Sequence, residues 1–418
     1  DTMIKNKEHF QDNLKKLNDT TVSNEISPEK SFTLIHFGRS GTGFFHSLID
    51  NHPQISTIPS TYLSEFFNST TWSKINPGNR TEIVKRFIEI YSVIFDSRSP
   101  RPIPIIGGKN IDKVGIKEGM ANLGPNRNEF LQIDKQVFSK NLEGEISKYH
   151  IIDEHLLFKS IHIALESSLP RPRKQKYIFY HIHNPSAYAH INYLTQTTAP
   201  QSIVMVREPI QSCESWMRVP FQQNDYNSIS QSIVKMLYQI DDPFYQKQNC
   251  VGLRLEDLIK EPTKTIKSVC EWMGIEETES CFEMTAQGKR WWGDPSSPEF
   301  GATGQPAFGK SSIERKIGAI FSKEDLAIME TLFYPFKLHF GYIEEKNTNF
   351  RSQLEAIKPK LAQPFDFEKK IISSLNISAN DLTESGPYKF FRAKLLDRWK
   401  LLNQLGTYPD MLTPLMID

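Results

Sequence analysis

The chain of 418 residues lacks the marks of several protein classes. No apolar run approaches the roughly 18 residues that a membrane-crossing helix needs, so no membrane partner is expected. Cysteine is scarce. Cys213, Cys250, Cys270 and Cys281 form no C-x-x-C pair, which argues against a disulfide framework and for reduced thiols. Neither charge sign dominates: 50 basic residues stand against 49 acidic ones, and nothing calls for a nucleic-acid partner. The start, Asp1-Thr2-Met3, is not a basic-then-apolar leader, and no internal repeat is visible. N-x-[ST] triplets at Asn18, Asn68, Asn79 and Asn376 arise easily by chance in a chain rich in Asn, Ser and Thr. These absences favour a cytoplasmic protein. With 38% hydrophobic and 24% charged residues, this length can build a large core.

What is present centres on Ser31 to His52, SFTLIHFGRSGTGFFHSLIDNH. Its opening is apolar and β-prone. Gly38-Arg39-Ser40-Gly41-Thr42-Gly43 comes next, and then Phe44, Phe45, Leu48 and Ile49 at helical spacing. A strand, a Gly-rich turn and a helix N-terminus in succession make an anion site. Glycines admit close backbone approach, and the first-turn N–H groups have no intrahelical partner. Arg39 adds a fixed positive charge. The loop therefore asks for a phosphate-like or sulfate-like group. It is not a Walker A loop, since no Lys-Ser or Lys-Thr comes after Gly43, and it lacks the first glycine pair of a dinucleotide fingerprint. The bland alternative is a tight strand-to-helix turn.

A second anion site is legible in Gln201 to Trp216, QSIVMVREPIQSCESW. Ser202 to Val206 suits a buried parallel strand, and Pro209 is placed to open a helix. Arg207 stands at the strand end and Ser215 eight residues later, about two helical turns on. A guanidinium fork and a hydroxyl there converge on one phosphate. For Arg207 alone, a salt bridge to Glu208 or Asp257 is the alternative.

Together the two segments resemble the sulfotransferases that use 3′-phosphoadenosine 5′-phosphosulfate, in their bacterial and Golgi branch. Arg39, Ser40, Gly41, Thr42 and Gly43 match the family's 5′-phosphosulfate loop, with Phe44 continuing the helix start. His52 to Ile55, HPQI, is similar to the residues just downstream of that loop in many members. Arg207 and Ser215 match the pair that holds the 3′-phosphate. Gly252 to Leu258 looks like a further family segment, and Arg315-Lys316-Ile317-Gly318 is a weaker echo of a late element at the 3′-phosphate. The resemblance spans about Phe32 to Tyr342. It implies 3′-phosphoadenosine 5′-phosphosulfate as donor, 3′,5′-diphosphoadenosine as product, and no metal. Members of the Golgi branch lose their anchors in soluble forms, so a removed anchor stays open. The resemblance does not name the acceptor; the pair His181 and His183 leans toward a hydroxyl of a small molecule or carbohydrate, and a homodimer stays open.

Proton chemistry points to Lys174 to His183, KQKYIFYHIH. Alternation along a strand puts His181 and His183 on one face. His183, with Pro185 two residues on, resembles in spacing the catalytic His of cytosolic members, and Tyr180-His181-Ile182-His183 looks like a strand end of uronyl 2-O-sulfotransferases. Glu65 is an outside candidate for the base, since some members use a Glu in that region; tyrosine-directed Golgi members carry theirs where Ser60 stands. Hydrogen-bonded core histidines, or half of a metal site, are the other readings of the pair. Sulfuryl transfer resembles phosphoryl transfer, in which positioning and charge stabilisation dominate. Arg39 and the Gly41 to Gly43 amides are expected to stabilise the leaving group, and a His near neutral pKa to take the acceptor proton. Arg39 itself is no proton donor.

Along the chain, residues 1–30 read as an arm with a helix over Glu8 to Leu17, residues 31–345 as one domain, and 346–418 as a helical extension. Helices are expected over Arg80 to Phe95, 129–142, 153–168, Asn227 to Ile240, from Lys323 to about Leu338, and around Phe390 to Leu405; Tyr62 to Phe67 reads as a helical turn. Residues 98–127 read as a surface loop, and 285–312, with Trp291 and Trp292, as a loop able to fold over a ligand. Strands alternating with helices imply an α/β fold: a P-loop-like parallel sheet flanked by helices, with a helical insertion and a helical C-terminal extension. A P-loop nucleotide kinase or NTPase is the competing function, though a Walker Lys is missing. A non-catalytic nucleotide- or glycan-binding protein on the same fold is the third.

Overall fold

Strand β1, Ser31–His36, is buried along its whole length, as a central strand of a parallel sheet covered on both faces must be. The computed structural model describes residues 31–100, 114–170, 175–182, 188–196, 200–239, 242, 249–298, 300–344, 348–404 and 411–418. The expected arm helix, His183 and Pro185 lie outside them. The other sheet strands are β2 (Ile55–Thr57), β3 (Tyr177–Ile182), β4 (Gln201–Val206) and β5 (Asn249–Arg254), in the order β2-β3-β1-β4-β5. Every pairing is parallel. The order turns around at β1, whose chain successor β2 lies on one side and whose neighbour β4 lies on the other. Ligands in open α/β sheets bind at such a switch point, outside the carboxyl ends of the strands. Both expected anion-binding turns leave carboxyl ends there, on adjacent strands.

Helix α1 (Thr42–Ile49) comes directly after β1. The insertion between β2 and β3 contains α2 (Ser69–Ile75), α3 (Arg80–Ile90), α4 (Lys135–Ile146) and α5 (Glu154–Ser168), closed around Phe66, Phe87, Phe95, Phe138 and Phe158. Asn68 and Asn79 cap α2 and α3, their side chains accepting from Thr70 N and Thr81 N. The Asn in those triplets thus serves as an N-cap. The helix expected over 129–142 starts later, because Glu129 and Gln132 form bridges with Leu123 and Asp96 while Asp134 caps α4. Tyr62 to Phe67 forms turns rather than helix.

The right half carries α6 (Tyr188–Gln196), α7 (Pro209–Gln222), α8 (Tyr226–Gln239), α9 (Leu255–Lys260) and α10 (Pro262–Met273). The helix expected from Lys323 to about Leu338 is two, α11 (Lys323–Leu332) and α12 (Tyr334–His339). Helices α13 (Phe350–Ile357), α14 (Asp366–Leu375) and α15 (Gly386–Asn403) share the same core. Glu368, fully buried, accepts from Tyr226 Oη at 2.7 Å and pairs with Arg392, joining α14 and α15 to α8. Residues 413–415 run along the outer edge of β5, with Gly252 N donating to Thr413 O at 2.8 Å and Leu415 N to Gly252 O at 2.9 Å. All four cysteines are free and buried. Among the described residues no helix is long and apolar enough to cross a membrane.

Candidate active site

The turn after β1 is built by two glycines. Gly38 has φ +58, and a Cβ on it would lie 2.4 Å from Ser212 Oγ. Gly41, φ +82, caps α1 without a side-chain hydrogen bond, and a Cβ there would meet Leu255 Cδ1 at 2.7 Å. The first-turn amides of α1 thus receive no side-chain cap from Gly41. Ser40 Oγ accepts from Phe37 N at 3.3 Å, which shapes the turn from within. Arg39 is half-exposed, with Nη2 3.9 Å from Asp294 Oδ2.

Arg207 leaves the end of β4 into this turn and is 3% exposed. Its Nη1 donates to Arg39 O at 3.2 Å, and its Nη2 to Ser312 O and to Gln211 Oε1. The acids weighed as its partners pair with other cations: Glu208 with Lys337 at 3.0 Å and Asp257 with Arg254 at 3.6 Å. Ser215, on α7, accepts from Arg315 Nη1 at 3.0 Å. The late basic element thus meets the second motif. Glu214, one residue back on α7, holds that element in place: its carboxylate accepts from the amides of Gly318, Ala319, Ile320 and Phe321. Gly318 is engaged in that grip, and Lys316 is exposed outside the cavity lining.

Arg39, Ser40, Gly41, Thr42, Gly43, Phe44, His181, Arg207, Ser215 and Arg315 line one cavity of about 580 Å³. Described residues of the segment 285–312, among them Thr285, Trp291, Phe308 and Ser312, also line it. A short hairpin starts that segment, β6 (Thr285–Ala286) and β7 (Lys289–Arg290), turning through Gln287 and Gly288, both with positive φ. Asp50, the C-cap of α1, accepts from Thr285 Oγ1, Gln287 N and Gly288 N at 2.9 Å each, so the hairpin is pinned to the anion-loop helix. Beyond it Trp291 donates to Glu118 O at 2.8 Å, and Phe308 lies edge-on to Phe44 at 5.4 Å. The part of the 98–127 loop that is described supplies Glu118 and Met120 to the lining. Ser60 and Glu65 line it too: Ser60 donates to Glu118 Oε1 at 2.9 Å, and Glu65 accepts from Asn68 Nδ2 at 3.1 Å. Of the seven described non-glycine residues with positive φ, three (Ser60, Glu65 and Phe308) line this cavity. Strained backbone of this kind gathers where surrounding structure holds a site in shape.

The model of the sulfotransferase family matches residues 34–279, more than half of the chain. The chain belongs to the sulfotransferase family. It is accordingly a transferase of sulfuryl groups. Solved sulfotransferase domains similar to it include one from the Synechococcus PCC 7002 olefin synthase, 13% identical, covering 75% of this chain and 98% of that one at a TM-score of 0.37. Another, from the curacin biosynthetic pathway, is 14% identical and covers 84% of this chain and 98% of that one at a TM-score of 0.33. No functionally curated protein matches the chain.

In this sulfotransferase, His181 lies on β3 beside β1, is buried, and is among the residues lining the cavity. Its Nδ1 is 3.3 Å from Nδ1 of His46, a residue that the sequence reading missed. His46 stands one turn into α1, and burial lowers its pKa to about 4. The signal was a His one turn after an anion loop; its partners are too distant in the chain to suggest themselves. Among the described residues no group of three His, Cys, Asp or Glu is placed to hold a metal ion.

Proposed function

We propose that this sulfotransferase transfers the sulfuryl group of 3′-phosphoadenosine 5′-phosphosulfate to a hydroxyl of a small alcohol or carbohydrate, with His181 accepting the hydroxyl proton. The observation that carries the reading is one cavity lined both by the uncapped start of α1 with Arg39 and by Arg207, Ser215 and Arg315. These donors suit two separate anionic groups, and about 580 Å³ is within the range of roughly 300–1,000 Å³ of small-molecule sites. Bound there, the donor supplies a sulfuryl group on a weakly basic phosphate leaving group. Arg39 and the amides of Thr42, Gly43 and Phe44 stabilise charge as it grows on that phosphate. Arg207, Ser215 and Arg315 bind the 3′-phosphate and fix the nucleotide's register.

The acceptor end of the cavity has a different character. Pro59, Ser60, Thr61, Glu65, Glu118 and Met120 line it, while the described cations of the lining are Arg39, Arg207 and Arg315. Such a wall suits a neutral or cation-bearing hydroxyl compound better than a polyanionic glycan. His183 is the histidine that the cytosolic likeness favours as base, and the experiment tests both. The protein is incubated with donor and an acceptor panel, and release of 3′,5′-diphosphoadenosine is monitored by mass spectrometry. Acceptor-dependent release should fall about 10²–10⁴-fold in His181→Ala, with donor binding kept. Normal release in His181→Ala and loss in His183→Ala moves the base. Tight nucleotide binding with no release for any acceptor makes the protein a binder.

A further inference from the structure

We propose that His46 is a positioning residue that holds His181 in the tautomer with its lone pair on Nε2, the nitrogen away from His46. This rests on His181 as the base. Protons can be assigned along a four-member chain. Thr57 Oγ1 donates its one proton to Phe179 O at 2.7 Å. Toward His46 Nε2, 2.7 Å away, Thr57 oxygen can therefore only accept. His46 Nε2 thus carries a proton. Burial keeps that ring neutral at ordinary pH, against the pull of the Asp50 charge. A neutral imidazole has one N–H, so His46 Nδ1 is an acceptor. The group 3.3 Å from it, His181 Nδ1, must be the donor. The rings cross at 81°, with centroids 5.3 Å apart. A neutral His181 then keeps its lone pair on Nε2. Which imidazole nitrogen is protonated is set by the bond that the other one makes, so the network itself assigns the hydrogens.

The chain joins the three elements that shape the site. His46 sits on the helix next to the anion loop, Thr57 on β2, and Phe179 and His181 on β3. A shift of α1 is transmitted to the ring of His181 by one hydrogen bond. His181 carries the proton transfer, and His46 and Thr57 act through it.

The test uses the full chain with ¹⁵N-labelled histidine at mildly alkaline pH. Two-bond ¹H–¹⁵N correlations read which nitrogen of each ring is protonated. Nδ1–H on His181 and Nε2–H on His46 are expected. Thr57→Val should release His46 from its tautomer and turn the His181 signal into a mixture. His46→Leu should lower kcat about 10- to 100-fold with the donor KM little changed, and His46→Gln, which keeps an acceptor and a donor, should recover most of the loss. An Nε2–H tautomer on His181 in the parent protein overturns the proposal whatever the activity. So does an unchanged kcat in a folded His46→Leu. Should His46→Leu not fold, the parent spectrum and Thr57→Val still decide. The expected tautomers together with normal turnover in His181→Ala would retain the pairing and reject the base.

Discussion

Replacing Arg207 with Ala separates the role of this side chain in nucleotide binding from its role in the fold. The guanidinium is 3% exposed and ties Arg39 O at 3.2 Å to Ser312 O and Gln211 Oε1. Its loss leaves those oxygens without a charged donor, so every nucleotide should bind less well. The 3′-phosphate should suffer an additional loss. Removing one partner of a desolvated charge pair costs about 2–5 kcal/mol, which is about thirty-fold to several-thousand-fold in affinity. Calorimetry with 3′,5′-diphosphoadenosine and with AMP isolates that share, because the two differ by the 3′-phosphate alone. AMP should weaken by the smaller, structural amount of about 1–2 kcal/mol. A thermal melt checks that the variant is folded. Equal losses for the two nucleotides would refute the assignment and leave Arg207 as a clamp between the anion turn and residue 312.

Arg39→Ala should cut turnover by about 10²–10³ with a smaller effect on product-nucleotide affinity, and Arg39→Lys should keep much of the activity; normal turnover of the alanine variant at saturating donor makes Arg39 structural. Gly43→Leu should fold, since a Cβ there finds only Trp291 Cη2 at 3.9 Å, yet the longer side chain enters the cavity. Nucleotide affinity should drop about ten- to hundred-fold, read by calorimetry, and undiminished binding would remove Gly43 from the donor site. Burial lowers the pKa of His36 and His46 to about 4 and of His162 to about 3, from 6.5. The unfolded chain takes up protons below about pH 6.5 that the folded one refuses, so stability should be full above that pH and fall toward pH 4, by up to about 1.4 kcal/mol per pH unit for each ring. Urea midpoints that stay flat between pH 7 and pH 5 contradict this, and His162→Gln should reduce the slope by about a third.

The strand–turn–helix units that carry Arg39 and the Arg207–Ser215 pair were legible because each is local: a strand end, a turn and a helix start written in consecutive residues. The structure puts β1 and β4 side by side at the centre of the sheet, so the two turns leave neighbouring strand ends. The meeting of Ser215 with Arg315 was reachable only through the family likeness, since a hundred residues separate them. His46 escaped because Thr57 and His181 come to it from two other strands, and no spacing in the sequence encodes that convergence. The hairpin at Thr285 to Arg290 did carry a signal, Gln287-Gly288, but two-residue strands have no periodicity to read. The start of α4 was misplaced for a different reason. A local bridge from Glu129 to Leu123 and a long-range one from Gln132 to Asp96 outweighed helical preference, and the Asp134 cap then set the boundary.

The pairing of residues 413–415 with β5 bears on how the molecule can be made. A bare parallel edge offers unpaired N–H and C=O groups to any other chain. Here that edge receives its cover from a segment synthesised long after β5, and α8 waits equally long for α15 and for Glu368 on α14. During synthesis the nearly finished sheet is therefore exposed along one side, the stage at which aggregation competes with folding. A fragment cut at residue 345 would remain permanently in that state. It would keep both cavity-lining turns and yet be prone to precipitate, so expression of shortened forms is a poor guide to where the catalytic unit ends.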